Sequence, residues 1–300
     1  MRNFILFQSV FLFFLTLPEI GCTHPAGNMI VHGDYLLWPY VYPVDDPEHH
    51  ACVMIWDKKS APKPYIISKY PASDWMLYSD NLNLYLIERR YIPEKDGFQF
   101  RILKGKVNES PSEIWPWTDD KRRTGEGGFY MESDNSMIFC SFPGIFRMEK
   151  DAQPAELFSV DRPVKKLRLI SENNMLLIGD NHCHLATTDG KILKTWEHLL
   201  LPAPDDPPLG RNMIFDADYL KGDLLIGYWG NRSFELLPAD NKKIILKKFD
   251  PPWAAHWVAF DGKDIYLFAS SIEAGRNPRP KLLKYNDEQN GKITEVWAVD

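Results

Sequence analysis

The sequence predicts an all-β fold, a six-bladed β-propeller with four antiparallel strands in each blade. Two repeats and a composition predict it. Six times a short apolar segment meets an Asp or Asn, turns and continues into a second apolar run, at Asp34, Asn83, Asn135, Asn174, Asp223 and Asp264. A second series marks the end of each unit: Ile67, Trp115, Phe158, Trp196, Phe249 and Trp297. Both series recur at a mean of about 46 residues, a period that belongs to repeat architectures. The 300 residues include 10 Trp, 13 Tyr, 17 Phe, 23 Pro and 18 Gly, a mixture that suits many short strands joined by tight turns.

The units follow in order. The first runs through D-Y-L-L-W from Asp34 to Ile67, and the second through N-L-Y-L-I from Asn83 to Trp115. The third runs through N-S-M-I-F from Asn135 to Phe158. The fourth reads as four complete strands: L-R-L-I-S from Leu167, M-L-L-I-G from Met175, H-L-A-T-T from His184 and K-I-L-K-T-W from Lys191. They are separated by E-N, D-N and D-G, which are hairpin signals. The fifth runs through D-L-L-I-G from Asp223 to Phe249, and the sixth through D-I-Y-L-F from Asp264 to Trp297. The Asp or Asn of each unit is expected to close an Asx turn by bonding backbone two residues on. A sandwich would not need one unit repeated six times, and a β-helix would repeat at a shorter period. Val31 to Ile67 and Trp257 to Trp297 each supply four strands. The ring is therefore expected to close by packing the first blade on the sixth, a joint expected to open first.

Residues 1–21 read as an export signal ahead of a propeller spanning 22–300. Arg2 precedes an apolar run from Phe4 to Leu17 that Pro18-Glu19 ends early. A bilayer-spanning helix needs about 20 apolar residues, so the run is too short for a permanent span. The stretch L-P-E-I-G-C resembles a bacterial lipobox, with Glu19 standing where an aliphatic residue is usual. The resemblance implies that Cys22 is lipidated and becomes the mature N-terminus, which places the protein in a bacterial cell envelope; secretion or a periplasmic location is the alternative. Cys52, Cys140 and Cys183 then remain, an odd number that spells no disulfide framework.

Net charge −6, from 35 basic and 41 acidic residues, lacks the basic footprint of a nucleic-acid binder. The chemistry is expected on one face of the ring. In a propeller the second-to-third strand loops share a face with the connections between blades, and these are the long segments here. They are Tyr42 to His50, Arg89 to Gly97, Pro116 to Gly128, Asp180 to His184, Glu197 to Asn212, Tyr228 to Arg232, Asp250 to His256 and Ser271 to Pro280. On that face, His182, His184 and His256 are candidate ligands for a divalent metal, the one cofactor the sequence allows for. Tyr228, Trp229 and Arg232, with His256, form the candidate ligand-binding cluster, because exposed aromatics beside an Arg are the pairing enriched at binding hot spots. Trp75, Trp117, Trp253 and Trp257 fall in or beside the same loops. The Pro-rich loop Glu197 to Asn212 is expected to wall one side of the mouth, and Arg276 and Arg279 to give a cationic edge.

By its blade pattern the chain resembles the broad six-bladed propeller superfamily of NHL-type, gluconolactonase-like and TolB-like proteins. The gluconolactonase-like members imply a divalent cation held by a Glu, Asn residues and an Asp, but the first strand, N-M-I-V-H-G-D, carries no Glu. No G-x-S-x-G elbow is present, and the E-G-G after Gly125 leads into a strand, where a phosphate loop would open a helix. The expectation is a binding or scaffolding module for a protein, peptide or glycan, touching membrane through its lipid alone. A metal-dependent hydrolase of the lactonase type is the alternative.

Overall fold

Six four-stranded antiparallel sheets stand in a ring, each made of consecutive strands. The computed structural model describes residues 27–41, 46–48, 50–200, 212–240, 242–272, 279–286 and 291–299. The signal segment, Cys22, His49, Arg276 and the Pro-rich residues 201–211 lie outside them.

Blade 1 holds β1 (Ile30–His32), β2 (Tyr35–Val41), β3 (Ala51–Trp56) and β4 (Lys63–Ile67). Blade 2 holds β5 (Ser73–Ser79), β6 (Leu84–Ile92), β7 (Gly97–Gly105) and β8 (Ser112–Asp120). Blade 3 holds β9 (Phe129–Ser133), β10 (Ser136–Ser141), β11 (Gly144–Glu149) and β12 (Ala155–Phe158). Blade 4 holds β13 (Lys166–Ser171), β14 (Asn174–Ile178), β15 (Cys183–Thr187) and β16 (Ile192–Trp196). Blade 5 holds β17 (Ile214–Leu220), β18 (Asp223–Tyr228), β19 (Ser233–Leu237) and β20 (Ile244–Lys248). Blade 6 holds β21 (Trp253–Asp261), β22 (Asp264–Ser271), β23 (Pro280–Asn286) and β24 (Lys292–Ala298). The first strands touch in sequence around the axis, β1 to β5, β9, β13, β17, β21 and back to β1. The ring closes with no strand borrowed across the seam.

The second and third strands read as continuous apolar runs because both their faces are covered. Side chains alternate across a strand, so one strand feeds two interfaces. Leu36, Trp38 and Tyr40 pack with blade 6, whereas Leu37 between them packs with blade 2. The same division separates Cys52, Met54 and Trp56 from Ala51, Val53 and Ile55. Among the described residues six buried clusters result, one at each blade interface. At the seam Trp38, Trp56 and Trp257 are buried and Trp297 packs on them, and Lys58 of blade 1 pairs with Asp261 of blade 6 at 2.5 Å, so apolar contact supplies most of the closure and one ion pair flanks it.

Every blade carries a register shift between its third and fourth strands. An extra residue there increases local twist, which turns the outer strand away from an edge-to-edge approach. The fourth strands are accordingly short of buried residues, as in the pattern eeii for Ala155–Phe158.

The turn chemistry differs from the expectation. Asn174, Asp223 and Asp264 are the first residues of the second strands and do not close their turns. Asp223 Oδ1 accepts the Ala239 N–H at 3.0 Å, and Asp264 pairs with Lys284 at 2.6 Å. Left-handed glycines make the corners, Gly33, Gly222 and Gly262 at φ 56, 105 and 60°. An Asx turn does occur in blade 2, where Asp80 Oδ1 accepts the N–H groups of Leu82 and Asn83, each at 2.7 Å. Strands also run further than expected into charged sequence. Arg89 to Ile92 belongs to β6, Pro116 to Asp120 to β8 and Trp253 to His256 to β21. Arg89 fits inside a sheet because Asp74 and Glu126 neutralise it at 2.8 and 2.7 Å.

Candidate functional site

The aromatic cluster expected on the surface is inside. Tyr228 is fully buried between blades 4 and 5, its hydroxyl donating to Leu199 O at 2.9 Å. Trp229 is 4% exposed, lying 5.2 Å from the Phe215 ring and nearly parallel to it, and meeting the His256 ring edge-on at 5.0 Å. Arg232, 6% exposed, donates from Nη1 to Trp253 O at 2.7 Å, and its backbone carbonyl accepts the Phe249 N–H at 2.9 Å. The physical reason is the short connection 229–232. It folds over the end of blade 5, so its ring and guanidinium fasten blade 5 to blade 6. Trp75 and Trp257 are likewise fully buried.

The three candidate metal ligands do not come together. His182 and His184 stand side by side in blade 4, with ring centroids 4.8 Å apart. His184 Nδ1 lies 2.9 Å from Thr195 Oγ1. His256 belongs to blade 6, where Phe215, Trp229, Trp257 and Phe268 surround it. Among the described residues no group of three or more His, Cys, Asp and Glu is placed to hold a metal. Burial pushes the His182 imidazole down to about 4, and His184 below its ordinary value as well, so both rings are neutral near pH 7. The lactonase reading needs a ligand set, and these histidines do not provide one.

Cys52, Cys140 and Cys183 are buried and unpaired, one each in blades 1, 3 and 4. Burial pushes the thiols of Cys52 and Cys140 up to about 12, which leaves them poor nucleophiles at neutral pH.

The loop-rich face instead presents a cavity of about 290 Å³ beside the axis, over blades 3 to 5. The connections into these three blades build it. Arg122, Arg123, Glu126 and Gly127 come from the segment between β8 and β9, Lys165 and Lys166 from the start of blade 4, and Met213 and Phe215 from the start of blade 5. Phe142, 66% exposed, stands on the rim from the β10–β11 loop. Close approach shapes the floor. A Cβ on Gly127 would meet Lys165 O, and one on Gly128 would meet Leu167 O, while Leu167 N–H donates to Gly127 O at 2.7 Å. The E-G-G run is thus one place where backbone entering blade 3 hydrogen-bonds blade 4 backbone; the Val164 N–H, donating to Pro143 O at 3.1 Å, is another such link.

The cavity is cationic although the chain is acidic. Arg123 pairs with Glu126 at 3.3 Å, and Lys165 with Asp180 at 3.0 Å. The Arg122 guanidinium covers the Phe146 ring at 4.4 Å. Lys166 holds its amine 4.6 Å from the Phe215 centroid, with no carboxylate within ion-pair distance among the described residues. Burial lowers the Lys166 amine to about 8; Lys165 and Arg168 push the same way, and Asp216 and Glu126 oppose them. Phe215 is braced from behind by Trp229 and His256, so two residues expected to touch ligand form the wall behind the cavity.

Sequence reasoning missed Lys166 and Phe215. The available signal was K-K-L-R at the opening of blade 4, where period two puts Lys166 and Arg168 on the axial side of an innermost strand and Leu167 in the core.

Further along the axis Arg168, Asp216 and Asp218 form a charged layer. Beyond it a second opening of about 280 Å³ is lined by Tyr78, Phe129, Leu169 and Phe260 among others. The fold and this axis define a six-bladed propeller with a cationic cavity on its loop-rich face. No family model matches the chain, and no curated protein matches it. Among solved structures it is similar to a chain of a nidogen/laminin complex, at 12% identity and TM-score 0.50, covering 90% of this chain and 91% of that one. It is similar to a puromycin-hydrolyzing peptidase of Mycobacterium tuberculosis, at 11% identity and TM-score 0.50, covering 91% of this chain and 53% of that one, so it spans about half of that protein's length. It also matches virginiamycin B lyase from Staphylococcus aureus, at 15% identity and TM-score 0.46, over 81% of this chain and 90% of that one. At such identities the likeness shows the fold alone.

Proposed function

We propose that this chain is a ligand-binding propeller of a bacterial cell envelope, working through its loop-rich face and anchored by lipid on Cys22. The observation that carries the binding reading is the cavity over blades 3 to 5, built by connections from three blades on a rigid ring. An exposed Phe142 at its rim and a backed Phe215 inside offer apolar contact, and the cations offer orientation. The anchoring rests on sequence, namely Arg2, the short apolar run and the Gly21-Cys22 junction.

The test is a screen of the purified chain against small organic acids, peptides and glycans, read by thermal shift and then by titration of whatever binds. Phe142→Ser should weaken that binding, whereas Leu82→Ser, in the β5–β6 turn of the opposite face and 73% exposed, should leave it unchanged. The opposite result would move the working surface to the other face.

A further inference from the structure

We infer that the cavity over blades 3 to 5 is a site for a small carboxylate carrying an apolar body, its anion held by Lys166 and its body laid against Phe215, Met213 and Phe142. The inference rests on the loop-face reading and names the chemistry of its ligand.

Charge decides the head group. Of the cations that line the cavity, Arg123 and Lys165 already face carboxylates. Arg122 lies over the Phe146 ring, and Lys166, half-buried at the first position of the innermost strand of blade 4, has no carboxylate within ion-pair distance among the described residues and stands beside Phe215. An ammonium withdrawn from water gains most from an anion that replaces its lost hydration. The carboxylate on the wall, Glu126, is taken by Arg89 and Arg123 at 2.7 and 3.3 Å. A cationic ligand therefore meets repulsion, and a neutral sugar finds no acceptor on that side chain beyond those its arginines use.

Shape decides the rest. The volume of about 290 Å³ stands at the small end of ligand pockets, which run from ~300 to 1,000 Å³. Phe215 cannot swing away, because Trp229 lies along it and His256 meets its edge at 4.8 Å. A fixed ring beside an ammonium offers one apolar wall and one charge, and this matches a ligand with one apolar end and one anionic end. A dianion such as phosphate would use the charge and waste the wall.

The experiment titrates the purified chain, observed by NMR, with phenylacetate, its neutral isostere phenylacetamide, and inorganic phosphate. Saturable binding of phenylacetate at least tenfold tighter than of the amide or of phosphate is the expected result. Lys166→Met should remove that preference, and Lys166→Arg, which keeps the charge, should retain it within a few fold and confirms that the site tolerates change. Equal binding of acid and amide, a preference for phosphate, an unaffected Lys166→Met, or no saturable binding of the acid at millimolar concentration overturns the inference. If the acids fail while another ligand from the panel is lost on Phe142→Ser, the loop face remains the binding face and the carboxylate assignment falls.

Discussion

Arg168 donates from Nη2 to Asp216 Oδ2 at 2.8 Å, and that same oxygen accepts the Val258 N–H at 3.1 Å. Two residues along β17, Asp218 Oδ2 lies 3.1 Å from Arg168 Nη1 and accepts the Phe260 N–H at 2.8 Å. One guanidinium of blade 4, two carboxylates of blade 5 and two amides of blade 6 thus join three blades at the axis. Around the ring Asn28 does similar work. Its side chain donates to Leu77 O at 2.8 Å and accepts Leu77 N–H at 3.0 Å, so an amide stands in for a strand neighbour between blades 1 and 2.

Replacing Arg168 by Met should therefore be severe. It leaves two buried carboxylates facing each other, and breaking a buried pair typically costs about 3–5 kcal/mol. Urea unfolding should show the loss at neutral pH. Recovery is expected when Asp218→Asn is added, since burial already holds the Asp218 carboxyl above its ordinary range. A single variant as stable as the parent would show that the axial layer carries no stability.

The seam should depend on Trp38. Its ring lies 5.3 Å from Trp297 and 6.4 Å from Phe268 across the closure, and it is fully buried. Trp38→Ala should cost about 3–5 kcal/mol. Hydrogen exchange should then show β1, β2 and β24 opening before blades 3 and 4. Uniform exchange around the ring would mean that the closure is no weaker than the other joints.

Trp229 should behave as a structural residue with an indirect effect on the cavity. Trp229→Ala removes the ring behind Phe215, so a loss of about 3 kcal/mol is expected together with weaker ligand binding. Calorimetric unfolding separates the two effects. Unchanged stability with lost binding would restore Trp229 to direct contact with ligand.

Acid should loosen blade 4. The His182 pKa is depressed in the fold to about 4, against an ordinary 6.5, and that of His184 is depressed too. Between these values the unfolded chain binds more protons than the folded one, so stability is fully present above about pH 6.5 and declines as pH falls towards 4. Asp74 and Asp218, raised by burial, act in the opposite sense. The measurement is therefore a difference: His182→Gln should flatten the slope of unfolding free energy between pH 7 and pH 4.5. An identical slope in parent and variant would refute the assignment.

Cys22→Ser should release the protein from membranes, and the mature parent should begin at residue 22 with lipid attached. Mass spectrometry of the N-terminus decides it. Unchanged membrane partition with residue 1 intact would overturn the anchoring proposal.

The sequence by itself determined the repeat, the strand count and the closure. Each blade repeats one local pattern, and the apolar runs around Trp38, Leu86, Phe139, Leu177, Ile226 and Leu267 admit burial on both faces only between stacked sheets. Local pattern could not decide the site, because exposure depends on what comes to lie across the axis. Tyr228-Trp229-Gly230-Asn231-Arg232 reads as an exposed loop until Phe215, thirteen or more positions earlier, supplies a ring to stack on. Lys166 reads as the edge of a strand until the ring places it beside a cavity roofed by blades 3 and 5. The histidines carry the same lesson: His182 and His184 meet because they are neighbours in one blade, and His256 stays apart because its blade is two places round the ring. What a residue is follows from its own segment, but what it faces is set by the packing of six sheets about one axis.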